Sequence, residues 1–120
     1  MVLRKNIPAT ASVVQKKNGN CLHSPAAEKN SACIIELVSS FSPKSGKALE
    51  IASGTGQHII ELAAAVPSLT WQPSDIDETR LNSIASRSLE KQLPNLLPPI
   101  KLDVVDKGWS TLCPNQDFIL

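Results

Sequence analysis

Three carboxylates stand where apolar runs end: Glu50 after Ala48 and Leu49, Asp75 after the run from Leu69 to Ser74, and Asp103 after Ile100 and Leu102. A glycine-spaced turn, Ser53, Gly54, Thr55 and Gly56, follows the first of them and opens directly into a helical pattern. An apolar strand, a glycine turn and a helix in that order form a nucleotide-handling turn. Gly54 and Gly56 let the backbone reverse and approach a ligand with no Cβ in the way. A helix beginning near Gln57 directs its unpaired amide donors at whatever occupies the turn. The chemistry these residues promise is binding.

Spacing and sign narrow the ligand. A dinucleotide fingerprint, G-x-G-x-x-G, needs a third glycine where the helix packs beside the pyrophosphate, and Ile59 stands there. The phosphate loop of NTPases needs a lysine after its glycines, and none follows these. At the carboxyl ends of parallel strands, Glu50, Asp75 and Asp103 would open into one crevice. Three acids there repel a pyrophosphate but suit a ligand with an ammonium, a ribose diol and an adenine amino group. At about 5 Å and an effective dielectric of about 20, each full charge pair is worth roughly 3 kcal/mol before desolvation, so sign selects the ligand class.

The elements that must position these groups alternate along the chain. Ser24 caps and Pro25 opens a helix whose apolar face is Ile34, Leu37, Val38 and Phe41. Pro43 and Gly46 break it. Ala48, Leu49, Ile51 and Ala52 then read as a short buried strand, and a second helix over 57–66 buries Ile59, Ile60, Leu62, Ala63 and Val66 before Pro67. A strand over 69–74 follows, in which Pro73 lacks a ladder donor and must lie where pairing stops. Asp77 caps a third helix with Leu81, Ile84, Ala85 and Leu89 on one face. Residues 100–104 make another strand, and 117–120 begin one more. The order βαβαβ with a terminal strand predicts an α/β fold: an incomplete doubly wound, Rossmann-like parallel sheet of about four strands with flanking helices.

Composition bounds the rest. The 120 residues allow one domain, but are short for a complete doubly wound enzyme built from two half-sheets. Aromatic residues make up only 3%, so the core must be aliphatic. Twelve basic residues against 11 acidic ones give a net charge of +1, which provides no field to draw nucleic acid or an anionic membrane. No apolar run reaches the roughly 20 residues that span a bilayer. Cys21, Cys33 and Cys113 form an odd set without a CxxC pair, which fits a reducing compartment, and Cys21 with His23 lacks the second ligand pair a zinc site needs. Residues 1–22 carry Arg4, Lys5, Lys16 and Lys17 and no acid, and read as a flexible basic tail ahead of a domain over 23–120. That composition fits a solvated leader on a cytoplasmic protein; the alternative is a mitochondrial transit peptide.

The segments LEIASGTGQH, WQPSDID and KLDVVD resemble the first three cofactor motifs of class I S-adenosylmethionine-dependent methyltransferases. With SPAAEKN upstream, they resemble more narrowly the methyltransferase-like protein 26 family, a family of unknown function, over about residues 24–120. The resemblance implies S-adenosylmethionine as cofactor and assigns positions. Glu50 would face the methionine amino group, commonly through water, and the backbone of Ser53, Gly54, Thr55 and Gly56 would line the methionyl portion. Asp75 would accept from both ribose hydroxyls. Asp103 would take the adenine amino group, with Val104 beside it. Ala52 departs from the wider class, where glycine is usual. Gln57 and His58 gain interest without an assigned role, Asn30 becomes a candidate lining residue, and Trp71 or Trp109 a candidate cover for adenine, although Trp71 fits better against a helix.

In the class that these motifs resemble, a sulfonium methyl passes in line to a nucleophile, and the protein contributes mainly positioning and exclusion of water. No catalytic triad is required. The acceptor-binding part of that class lies largely after the fourth strand, within which this chain stops. The sequence therefore predicts a cofactor-binding half that is incomplete as a catalyst, with an unknown methyl acceptor and an exposed terminal strand edge as a surface for a partner or for self-association. The alternative is a non-catalytic interaction module that keeps the scaffold. A nicotinamide-dependent oxidoreductase is disfavoured by Ile59 and the extra acids.

Overall fold

The computed structural model describes residues 21–120 and the backbone of residues 15–16. The predicted tail over 1–22 therefore lies mostly outside the described residues. Within them, β1 (Gln15–Lys16) pairs antiparallel with β2 (Leu22–His23), and β2 leads into α1 (Pro25–Phe41). There follow β3 (Gly46–Glu50), α2 (Gln57–Ala65), β4 (Leu69–Asp75), α3 (Glu78–Lys91), β5 (Ile100–Lys101), a single 3-10 turn over Trp109–Thr111 and β6 (Phe118–Ile119). The last four strands form one parallel sheet in the order β5-β4-β3-β6. Strand order thus runs outward from β3 through β4 to β5 and then reverses to place β6 on the other side of β3. That reversal makes the carboxyl end of β3 a topological switch point, where a crevice opens because the flanking connections leave in opposite directions.

Local signals start the helices as expected. The Ser24 hydroxyl accepts from Ala27 N–H at 3.3 Å with Pro25 in the first turn, and Asp77 Oδ1 accepts from Thr79 and Arg80 N–H at 2.8 and 3.2 Å. The core is the α2–sheet interface: Ile59, Leu62 and Ala63 pack on Ala48, Leu69 and Trp71, and Val38 joins from α1. Trp71 is fully buried there, its indole N–H donates to Val66 O at 3.3 Å, and its ring meets Phe118 edge-on at 6.3 Å. It is a core residue packed against α2, the position the sequence favoured for it over a cover for adenine.

Several boundaries and faces differ from expectation. Leu37 and Phe41 are exposed rather than buried; the contact stripe of α1 is Ile34, Ile35 and Val38. The His58 to Ala27 contact sets the two helix starts side by side. Leu37 lies about 100° round the helix from Val38, off that stripe, and Phe41 falls at the end of the last turn. Leu89 is also exposed, because it lies five positions beyond Ile84 and so about 140° round the helix from the buried face of Leu81, Ser83 and Ile84. β3 ends at Glu50, not Ala52: Ile51 N–H still bonds Leu120 O at 3.0 Å, but Ala52 turns away in the left-handed region at φ 56°. α2 ends at Ala65, with Val66 as its cap residue.

β5 is two residues rather than five. Leu102 N–H makes its last bond, to Asp75 O at 3.0 Å, and then Asp103 Oδ1 accepts from Val105 N–H at 3.0 Å. That side-chain turn pulls Asp103 and Val104 out of the ladder. Pro73 sits inside β4, opposite Glu50 at the last β3–β4 pair, while pairing with β5 begins only at Ser74. Trp71 uses its N–H and C=O on the β5 side, bonding Asn95 O and Leu97 N–H, so the nitrogen of Pro73, two residues on, faces that same side. The missing donor falls in the gap before the β5 ladder starts, where no partner is lost.

Candidate functional site

The tips of β3 and β4 are joined by a closed set of hydrogen bonds. Ser53 N–H donates to Ser74 O at 2.7 Å, Ser74 N–H to Ser53 Oγ at 3.0 Å, and Ser74 Oγ to Glu50 O at 2.6 Å. Gly54 N–H donates to Asp75 Oδ2 and Asp77 N–H to Asp75 Oδ1, both at 2.9 Å. Asp75 therefore clamps the glycine turn to the start of α3 while buried, its carboxylate oxygens each held by a backbone donor. Each oxygen keeps lone-pair capacity for a ligand hydroxyl.

Glu50 is the opposite case. It is only 6% exposed, and its Oε1 is buried with no hydrogen-bond partner among the described residues. Burial pushes its carboxyl above the ordinary value; hydrogen bonding from Ser53 and the nearness of His58 pull it down, and the Asp75 carboxylate pushes it further up. An unpartnered buried acceptor at a switch point is where a cationic or donor group would bind, since leaving it bare costs about 1–3 kcal/mol.

The loop residues divide by direction. A Cβ on Gly54, at φ 62°, would meet nothing nearer than Ala52 O at 3.9 Å, so this face is open to a ligand. A Cβ on Gly56, at φ 88°, would lie 3.1 Å from the Ile84 backbone. The second glycine thus permits the close contact of the loop with α3. Thr55 is buried, and its carbonyl accepts from Ser83 Oγ at 2.8 Å and from Arg87 Nε at 3.0 Å.

Sequence reading missed the residues that hold the leading segment onto this loop. Ser83 Oγ also accepts from Leu22 N–H at 2.7 Å, and Arg87 donates to Leu22 O. Gln57 Oε1 accepts from Ser24 N–H and from Thr55 Oγ1, and its amide donates to His23 Nδ1 at 3.2 Å, leaving His23 Nε2 to donate to Glu28 Oε2 at 2.9 Å. His58 Nε2 lies 2.9 Å from Ala27 O, so that nitrogen carries a proton and ties α2 to α1. The only advance signal was a serine and an arginine four apart on one helix face, which is common enough to pass unnoticed. Asn30 is exposed on α1.

Glu50, Ser53, Gly54, Thr55 and Asp75 are thus brought together. Asp103 and Val104 stand apart, two strands from Glu50, past the tip of β5. Asp103 lines a separate cleft of about 350 Å³ with Asp106, Lys107 and Trp109, and Val104 is exposed. Cys21 is buried with its thiol 3.9 Å from Glu90 Oε1. Among the described residues, no three His, Cys, Asp or Glu side chains gather to hold a metal, and no helix is long and apolar enough to cross a membrane.

This arrangement, with its strand order and its glycine turn at the switch point, is a Rossmann-like α/β fold that the chain shares with solved methyltransferases. Coclaurine N-methyltransferase, solved with N-methylheliamine and SAH, superposes with a TM-score of 0.53 at 13% identity, over 61% of this chain and 22% of its own. PKMT2 from Rickettsia typhi in complex with AdoHcy gives 0.53 at 20% identity, over 65% and 15%. M. jannaschii TYW2 in complex with AdoMet gives 0.53 at 18%, over 78% and 44%. The chain spans less than half the length of each of these structures. The family described as "Protein of unknown function (DUF938)" matches residues 22–118, and the chain belongs to it.

Proposed function

We propose that this domain binds S-adenosylmethionine at the tips of β3 and β4, as the cofactor-holding part of a methyltransferase. The observation that carries the reading is the buried Glu50 Oε1, which lacks a partner at the switch point beside the open face of Gly54. A ligand ammonium, directly or through water, would complete it. Asp75 retains acceptor capacity for ribose hydroxyls, and the cleft of Asp103 and Trp109 offers an acid and an indole for adenine. The bound S-adenosyl compounds of the structural neighbours support the same class of ligand. When bound, the cofactor would supply an electrophilic methyl group; this chain would bind it, orient it and keep water from it. The narrower likeness to the methyltransferase-like protein 26 family rests on SGTGQH, WQPSD and SPAAEKN. We assign cofactor binding to these residues and no methyl acceptor.

Isothermal titration with S-adenosylhomocysteine tests the reading. Binding in about the micromolar range, weakened at least about tenfold by Asp75→Asn, is the expected result. Asn keeps an acceptor for the glycine turn but loses the charge. Absence of heat with a folded protein would replace this reading with that of a non-catalytic interaction module.

A further inference from the structure

Glu50 and Asp75 are neighbours across the β3–β4 pair: Glu50 is opposite Pro73, so Asp75 lies two residues further along the adjacent strand. Both are buried, yet their surroundings are unequal. Asp75 has a backbone N–H on each oxygen. Glu50 has one oxygen without a partner among the described residues, and the charged or titratable groups that face it among those residues are few. They are Asp75 from β4, which opposes a second negative charge, and His58 from the first turn of α2, whose Nε2 is directed away to Ala27 O. Ser53 from the loop contributes a hydrogen bond. Two buried acids side by side cannot both be charged cheaply, and a proton on Glu50, whose Oε1 has no donor among the described residues, removes that cost.

We infer that Glu50 carries a proton in the free protein and that a cationic ligand displaces it, so that binding at this site releases a proton. The inference rests on the reading of the site as one for a ligand with an ammonium group, and goes beyond it by making affinity a function of pH. The balance is simple: the Glu50 O–H bond breaks, the proton passes to solvent, and the ligand cation neutralises the carboxylate left behind. Ligand and proton compete for one acceptor. Their binding is therefore linked, and the apparent affinity rises with pH by up to about tenfold per unit for as long as free Glu50 is protonated.

The test is calorimetric titration of the full chain with S-adenosylmethionine in buffers of different ionisation enthalpy, from about pH 5 to about pH 7, below the usual range of the ligand's own amino group. The expected result is a buffer-dependent heat that corresponds to the release of a large fraction of one proton at some pH in that range, and its disappearance in Glu50→Gln. An infrared difference spectrum of the unmodified protein provides a check that needs no variant: the carboxylic-acid carbonyl band should be lost when ligand is added. Binding with heats independent of buffer and no loss of that band overturns the inference while leaving the site reading intact. No binding at any pH overturns both.

Discussion

The segments leaving β3 and β5 begin alike, with an acid at the end of an apolar strand and a glycine a few residues on, yet the structure treats them oppositely. After β3, Glu50 is buried, the turn is fastened to β4 and α3, and Gly56 is pressed against Ile84. After β5, Asp103 turns on itself toward Val105 N–H, and Gly108, at φ 81°, has nothing within 4 Å of where its Cβ would be. The same residue types serve a preorganised pocket in one place and an adaptable surface in the other. What differs is whether a helix packs over the turn: α3 covers the first, while only a 3-10 turn follows the second.

The largest effects should come from the glycines. Gly56→Ala combines a left-handed φ with a contact 3.1 Å from the Ile84 backbone and should cost about 2–4 kcal/mol of unfolding free energy. Gly108→Ala meets only the backbone preference and should cost about 1–2 kcal/mol. Urea melts of the two variants check the difference; equal losses would mean that the turn after β3 is no more tightly packed than that after β5.

A middle effect belongs to Glu50. Its carboxyl is held above the ordinary 4.5, so the folded state binds the proton more tightly than the unfolded chain does. The stability this contributes is complete below the unfolded value and is lost as pH rises through the folded one. Glu50→Gln, which stays neutral, should therefore be more stable than the natural protein at neutral pH, and the gap should close as pH falls toward the ordinary carboxyl value. Thermal melts across pH measure it. A Glu50→Gln protein that gains nothing at neutral pH would show the carboxylate to be well solvated.

The smallest effect is at Asp103. Asp103→Asn keeps the acceptor for Val105 N–H on a half-buried side chain, and should change stability by less than about 0.5 kcal/mol. A loss above about 2 kcal/mol in the same urea melts would remove the contrast between the two strand tips.

Much of the scaffold was legible because its causes are local. Ser24 and Asp77 cap their own helices, the apolar periodicity of residues 57–66 places α2, and the alternation of elements leads to a parallel sheet. The extent of β5 was not, since Asp103 competes with the ladder through its own side chain, a choice that an apolar run does not display. Nor was the exposure of Phe41, which keeps the spacing of the buried face but falls at the last residue of α1.

The sequence by itself determined which acids end which strands and where the backbone would turn, because strand, turn and cap preferences act within a few residues. Only the tertiary structure decided that Asp75 would be satisfied by the backbone and Glu50 left without a partner, that Gly54 would open outward and Gly56 inward, and that Ser83, Arg87 and Gln57 would bind β2 and α1 to the loop. Burial and charge at a site arise from groups distant in the chain, as with Leu22 and Arg87, 65 residues apart. No local pattern contains that distance.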